Sequence, residues 1–149
     1  MTTNILFEYE ASAVMDQIDA ETSRHAAFLR YENGGLAYDE LKVHTNDRPT
    51  VTGFIHDAFR TFLARFDGES NYDFYNGIHA VGFYLPDFDT DNHGAVWHEL
   101  LRYVVISSTA RWLTYRSFSE YAKTILAEAE SSLLRAITLL RARKFPLDD

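Results

Sequence analysis

The last third of the chain constrains the fold more than any other part. From about residue 93 to residue 144, two helical patterns meet at a short polar break, and the second ends in a small basic cluster. In the first pattern Val96, Trp97, Leu100, Leu101, Val104, Val105, Ser108 and Trp112 cover a broad apolar surface, so this helix is expected to be the central, most enclosed element. Asp91 or Asn92 can cap its start, and the pattern persists to about Leu113. In the second, Tyr121, Ile125, Ala129, Leu133, Ile137 and Leu140 form a stripe reaching about Arg143. Ser117 and Glu120 stand at capping-box spacing, with a hydroxyl for the third helical amide and a carboxylate for the cap amide. A helix of roughly 26 residues would be roughly 39 Å long at ~1.5 Å per residue. That exceeds what a compact domain of this size needs, so its end is expected to project or to be covered by another chain. Arg141, Arg143 and Lys144 suit the negative end of the helix dipole, and Pro146 prevents continuation.

Upstream, the pattern changes period several times. Ile5, Phe7 and Tyr9 alternate, which predicts a short strand. Ala11, Val14, Met15, Ile18, Thr22, Ala26 and Leu29 share one helical face. Asn33-Gly34-Gly35 breaks that face, and residues 31–48 read as an irregular connection. A second helix opens within His44–Pro49, with Thr45, Asn46 or Asp47 as cap and Pro49 in the first turn. Val51, Ile55, Ala58, Phe59, Phe62 and Phe66 form its face, and Gly68 stops it. Asn76-Gly77, between Tyr72–Tyr75 and Ile78–Leu85, is the strongest short hairpin signal in the chain. The fold class is therefore mainly α (α+β): one domain over residues 1–149, a four-helix bundle-like body with a small antiparallel sheet. The sheet combines the N-terminal strand with the hairpin near residues 72–85.

At 149 residues, with 46% apolar and 15% aromatic side chains, the chain can bury one core without staples. It has no cysteine, which excludes a disulfide framework, a thiol nucleophile and thiolate-held metal. Its first ten residues lack the positive start and apolar stretch of a signal peptide, and no apolar run reaches the ~20 residues that span a bilayer, so a soluble protein is expected.

Charge is unevenly placed. Residues 1–100 carry 6 Lys/Arg against 17 Asp/Glu, net −11, while residues 101–149 carry 8 against 5, net +3. A balance this acidic disfavours general nucleic-acid binding. The split would let an acidic face meet a basic one on a neighbouring copy. The aromatics around Tyr72–Tyr84 could stack bases, but residues 66–101 contain no Lys or Arg, so sheet packing explains them better.

Asp87, Asp89 and Asp91, followed by His93, resemble part of a calcium loop. The sixth position is Asn92 instead of glycine and the twelfth is His98 instead of a bidentate Glu, so a solvated turn and helix cap is the better reading. The six histidines include no HExxH pair, and no G-x-S-x-G or phosphate-cradling glycine loop occurs. Ser107, Ser108 and Thr109 lie within a helix, where hydroxyls return to the preceding turn. No catalytic residue and no cofactor is expected.

The order of Ala37-Tyr38-Asp39, Thr45-Asn46-Asp47-Arg48, Leu85-Pro86-Asp87, Ala110-Arg111-Trp112-Leu113 and Arg143-Lys144-Phe145-Pro146 resembles small proteins encoded in tailed phages and prophages of Bacteroides-type gut bacteria. More loosely, the chain is similar to head–tail connector adaptors, helical proteins that form rings under the portal. It departs from the pattern at Pro49 and Gly53, where the second helix is more usually continuous. The resemblance implies a non-enzymatic virion protein, a connector or neck adaptor, assembled in the host bacterial cytoplasm. Its partners would be portal or neck proteins and copies of itself, with no small-molecule substrate, no sequence-specific nucleic-acid contact and no membrane. Interface candidates are Arg135, Arg141, Arg143 and Lys144. The alternative is a small acidic binding or inhibitor protein that engages a basic partner through Asp87–Asp91. A metal-dependent enzyme using the same acids with His93 is a third reading.

Overall fold

The computed structural model describes residues 2–31, 34, 35 and 37–143. Strand β1 (Thr2–Glu10) leads directly into helix α1 (Ala11–Ala26). A one-turn helix α2 (Tyr38–Leu41) and a 3-10 turn (Thr45–Asp47) precede α3 (Arg48–Phe66). The hairpin β2 (Ser70–Tyr75) and β3 (Ile78–Pro86) follows, then α4 (His93–Tyr115) and α5 (Ser119–Arg141). The three strands form one antiparallel sheet in the order β1-β3-β2. The fold is mainly α within an α+β frame, with four long helices on one face of a small sheet.

Alternation explains why the sheet is two-faced. Ile5, Phe7 and Tyr9 of β1 and His79, Val81, Phe83 and Leu85 of β3 are buried against the helices. Asn4, Leu6, Glu8 and Glu10 are exposed on the other side. Asn76 and Gly77 both take positive φ, 52° and 72°, which gives the hairpin a turn whose twist matches that of the strands. The amide of Ala11 donates to the Gly77 carbonyl at 2.8 Å, so the start of α1 is tied to that turn.

Helix α4 is enclosed on nearly every side, as its broad apolar surface predicts, and α5 packs along it. The Trp112 ring is fully buried and donates its indole N–H to the Leu41 carbonyl at 2.6 Å. The Thr109 hydroxyl returns to the Val105 carbonyl at 2.8 Å. Pro49 stands in the first turn of α3 and Gly53 inside it, and the helix passes through both without a break.

Several expectations are corrected. Residues 31–48 are not wholly irregular: α2 forms because Leu41, 0% exposed, is drawn into the core beneath Trp112. Asp67, not Gly68, takes the left-handed position that ends α3, with φ 52°. Asp47 stands at the N-cap of α3 as expected, but its carboxylate turns back to accept from the His44 amide at 3.0 Å. Asn92 stands at the N-cap of α4 as expected, though without a side-chain bond, and the 3-10 turn before it is capped by Asp89, which accepts from the Asp91 amide at 3.0 Å.

The Ser117–Glu120 capping box does not form. Ser117 has φ 74°, its amide donates to the Thr114 carbonyl and the Phe118 amide to the Leu113 carbonyl at 2.8 Å. These paired bonds close α4 with a Schellman motif, and Phe118 carries the chain into the core. Glu120 instead pairs with Lys123. Helix α5 has 23 residues, the same length as α4. Its end does not project: the Arg141 guanidinium donates to the Phe66 carbonyl and lies 4.6 Å from that ring's centroid, and Arg143 bridges Phe88. Asn33, Lys144, Phe145 and Pro146 lie outside the described residues.

Candidate functional site

The sequence-level candidates are dispersed and largely engaged. Arg135 pairs with Glu99 at 3.2 Å, an α5–α4 contact, and Arg141 holds the end of α3. Arg143 is exposed and sits against the turn that carries Asp87 and Asp89, so the basic end of the chain lies beside the acidic loop of its own subunit. Lys144 is outside the described residues. In the loop, Phe88 is buried between Asp87 and Asp89, and Asp89 serves as a cap. Among the described residues no three His, Asp or Glu side chains converge to hold a metal ion. No helix there is long and apolar enough to cross a membrane.

The most distinctive surface is the face of the sheet that no helix covers. Register builds it in rows: Glu10, Ile78 and Tyr75; Glu8, Ala80 and Asp73; Leu6, Gly82 and Asn71; then Asn4 and Tyr84. The central strand supplies only small side chains, Ala80 and Gly82, in the two middle rows, and the flanking side chains close over them, so that Ala80 is 7% exposed and Gly82 is buried. Leu6 and Glu8 flank them on one side and Asn71 and Asp73 on the other. With strands ~4.8 Å apart, the Glu8 and Asp73 backbones are roughly 10 Å apart across the sheet. Any Cβ on Gly82 would collide with Asn71 Oδ1 and come within 3.1 Å of Asn4 Oδ1. Two amide oxygens therefore gather over the glycine. Leu6, Tyr75 and Tyr84 are 47%, 48% and 38% exposed, which gives the face apolar ends.

Charge on the strands themselves has one sign. None of the three strands contains Lys or Arg, and Glu8, Glu10 and Asp73 enter no ion pair among the described residues. At the sheet's margins Asp67, Glu69, Asp87 and Asp91 add acids, met by Arg141 near Phe66 and Arg143 beside the Asp87–Asp89 turn. The free edge of β1 is closed from α4. His93 Nε2 donates to the Leu6 carbonyl at 3.0 Å and the Trp97 indole donates to the Glu8 carbonyl at 3.0 Å. The Tyr9 hydroxyl returns a bond to the Trp97 carbonyl at 2.9 Å, and its ring stacks on the indole. Strand addition at that edge is blocked.

Behind the sheet, His79 is 1% exposed among Phe59, Tyr72, Phe74 and His56. Its Nδ1 lies 2.8 Å from the Tyr72 hydroxyl. Burial, then the neighbouring His56, pushes His79 down to about 4, while burial pushes Tyr72 up to about 12. His79 is thus a neutral packing residue at physiological pH.

A cleft of about 360 Å³ between α1 and α4 is lined by Gln17, Glu21, Trp97, His98, Glu99 and Arg102 among others. Burial opposes the charge on Glu21, but Arg24 and then His25 outweigh it and hold the carboxyl below its ordinary range. His25 Nδ1 lies 2.6 Å from the Tyr121 hydroxyl, joining α1 to α5. The charged groups here pair with one another: Arg24 with Glu21, Arg102 with Glu128, and Arg135 with Glu99.

This acidic, helix-free face was not foreseen from sequence. Its signals were the cation-free run of residues 66–101 and the alternation of small residues at Ala80 and Gly82 within a strand. Comparison with protein-family models, with curated proteins and with solved structures gave no match.

Proposed function

We propose that this protein is a non-enzymatic component of a tailed-phage-type particle, a connector or neck adaptor that acts by contact with other particle proteins. One observation carries the reading: the polar chemistry of the long helices is spent on bracing them. Arg48–Asp19, Arg65–Glu130, Arg102–Glu128, Arg111–Asp57 and Arg135–Glu99 each join two different helices. Each such exposed pair contributes at most about 1 kcal/mol, but together they fix the relative positions of α1, α3, α4 and α5. A braced block with side chains committed to its own shape suits a building element. The particle setting is drawn from the resemblance in residue order described above.

A ring built by setting the Arg141–Lys144 end against the acidic part of the next copy is less well supported than the sequence suggested. Head-to-tail contacts need complementary patches on different sides of the subunit. Here Arg141 is engaged internally and Arg143 adjoins the Asp87–Asp89 turn. The second reading, an acidic inhibitor of a basic enzyme, is favoured by the cation-free sheet. Mass spectrometry of purified particles separates the two. A fixed copy number per particle is expected, and absence from particles together with a one-to-one complex with a host enzyme would establish the alternative.

A further inference from the structure

We propose that two copies of this chain pair through the outer edge of β2, antiparallel and centred on Tyr72, to make one continuous sheet. The two edges of the subunit's sheet differ. His93 and Trp97 close β1, whereas β2 has no such seal among the described residues. The Tyr84 amide donates to the Glu69 carbonyl at 3.0 Å, and the β2–β3 register runs unbroken from Ser70 to Tyr75. In antiparallel pairing, residues that bond to one neighbour alternate with residues that bond to the other side. Glu69, Asn71, Asp73 and Tyr75 therefore bond to β3, while Ser70, Tyr72 and Phe74 turn their backbone groups outward. Among the described residues that edge carries one bond, a local one from the Phe74 amide to the Asp73 carboxylate at 2.9 Å. Strand β2 contains neither Lys nor Pro nor a bulge, the usual deterrents to strand addition.

Charge selects the occupant and its register. Backbone bonding requires the outward residues of one copy to face the outward residues of the other. Centred on Asn71, such a pairing sets Asp73 against Glu69 of the second copy; centred on Asp73, it sets two identical carboxylates face to face. Like charges directly opposite are destabilising. Centred on Tyr72, Asn71 faces Asp73 and Tyr75 faces Glu69, so each acid of the segment meets a hydrogen-bond donor. Two-fold symmetry repeats both pairs, which is the self-complementarity a dimer of identical subunits needs. Phe74, 39% exposed, is covered opposite the small Ser70. The Tyr72 ring stacks inward on Phe59 and its hydroxyl lies 2.8 Å from His79 Nδ1, so it does not crowd the axis. Both outer edges of the joined sheet are then sealed β1 strands, and association stops at two copies.

The test uses the full-length, ¹⁵N-labelled protein in sedimentation and amide-exchange measurements from about 10 µM to about 1 mM, where a small interface becomes populated. A species of twice 17.2 kDa is expected. Salt should favour it, because each copy carries a net charge of −8. Exchange should slow with concentration at Ser70, Tyr72 and Phe74 and stay unchanged at Asn71 and Asp73, which β3 already holds. Asn71→Asp, nearly isosteric, sets a carboxylate against Asp73 of the second copy and should weaken the dimer about tenfold, since the unfavourable pair occurs twice. Asn71→Asp/Asp73→Asn exchanges the two groups and should restore it. If that exchange disturbs the strand, mixed Asn71→Cys and Asp73→Cys proteins give the same reading. Opposed residues there lie ~4.5 Å apart at Cα, so a mixed disulfide should form faster than either variant links to itself.

A monomer throughout with unaltered exchange would overturn the pairing. So would an Asn71→Asp variant that dimerises like the wild type, or a folded double variant without rescue. Concentration-dependent protection centred on exposed Leu126 and Leu134 of α5 would place the contact elsewhere and sink it equally. A foreign segment bound at β2 while the chain alone stays monomeric would replace the second copy as occupant. Dimerisation is a property of the free chain, so its outcome is separate from that of the particle measurement.

Discussion

Neutral His79 makes the domain acid-sensitive. Its native value, about 4, lies below the ~6.5 of an unfolded histidine, so the unfolded chain binds more protons across that interval. Its contribution is fully present above pH ~6.5 and is lost as pH falls toward 4. His25 and His56, both lowered by burial first, act in the same direction. Urea denaturation between pH 7 and pH 4.5 should show a loss on the order of 2 kcal/mol from His79 alone. A His79→Phe variant should flatten that slope, and an unchanged slope would show that the ring is not held neutral. Trp112 is the other decisive residue. Trp112→Phe leaves the Leu41 carbonyl without its donor and should cost about 1–3 kcal/mol. Sequence patterning placed Trp112 on an apolar helical surface and left His79 as one position of the hairpin's second strand. It could not show the bond to Leu41, because the partner is a backbone carbonyl 71 positions away in a segment with no helical period.

Local periodicity resolved the long helices and the hairpin, since each declares itself within a window of a few turns. Their ends were harder to read, because a cap depends on which of two neighbouring elements claims a residue. Ser117 illustrates this: its spacing to Glu120 promises an N-cap, yet the backbone uses it to close the preceding helix. The two assignments predict opposite results. With φ 74°, Ser117→Gly should raise stability by about 0.5–1 kcal/mol, whereas an N-cap serine would lose from the same change. Thermal melting of the purified variant decides it. The closed edge of β1 is also testable. Removing both His93 and Trp97 donors, as His93→Ala/Trp97→Phe, exposes the Leu6 and Glu8 carbonyls and should promote association, measurable by light scattering. Edge sealing was invisible in sequence, since Leu6 and His93 are 87 residues apart.

The buried side chains of the sheet and all four long helices form one cluster. Unfolding should therefore be a single cooperative event. The two tryptophans report on different parts, Trp97 at the sheet edge and Trp112 beneath α2, so Trp97→Phe isolates the second probe. Coincident denaturation midpoints from Trp112 fluorescence and far-UV circular dichroism are expected; separated midpoints would show independent units. At this scale the sequence revealed the α+β class but not the placement of charge. The −11 and +3 segments suggested two opposed patches, and folding instead turns five of the cations into braces between helices while leaving the sheet acidic.

Strand β1 is synthesised well before its hydrogen-bonding neighbour, which begins at Ile78, and before its seal, which arrives with His93 and Trp97. At a translation rate of roughly 5–20 residues per second, the strand waits several seconds or more after leaving the ribosome before it can be paired. A nascent chain stalled before residue 78 should therefore hold that strand protease-accessible and chaperone-bound, and protection should appear only after α4 has emerged.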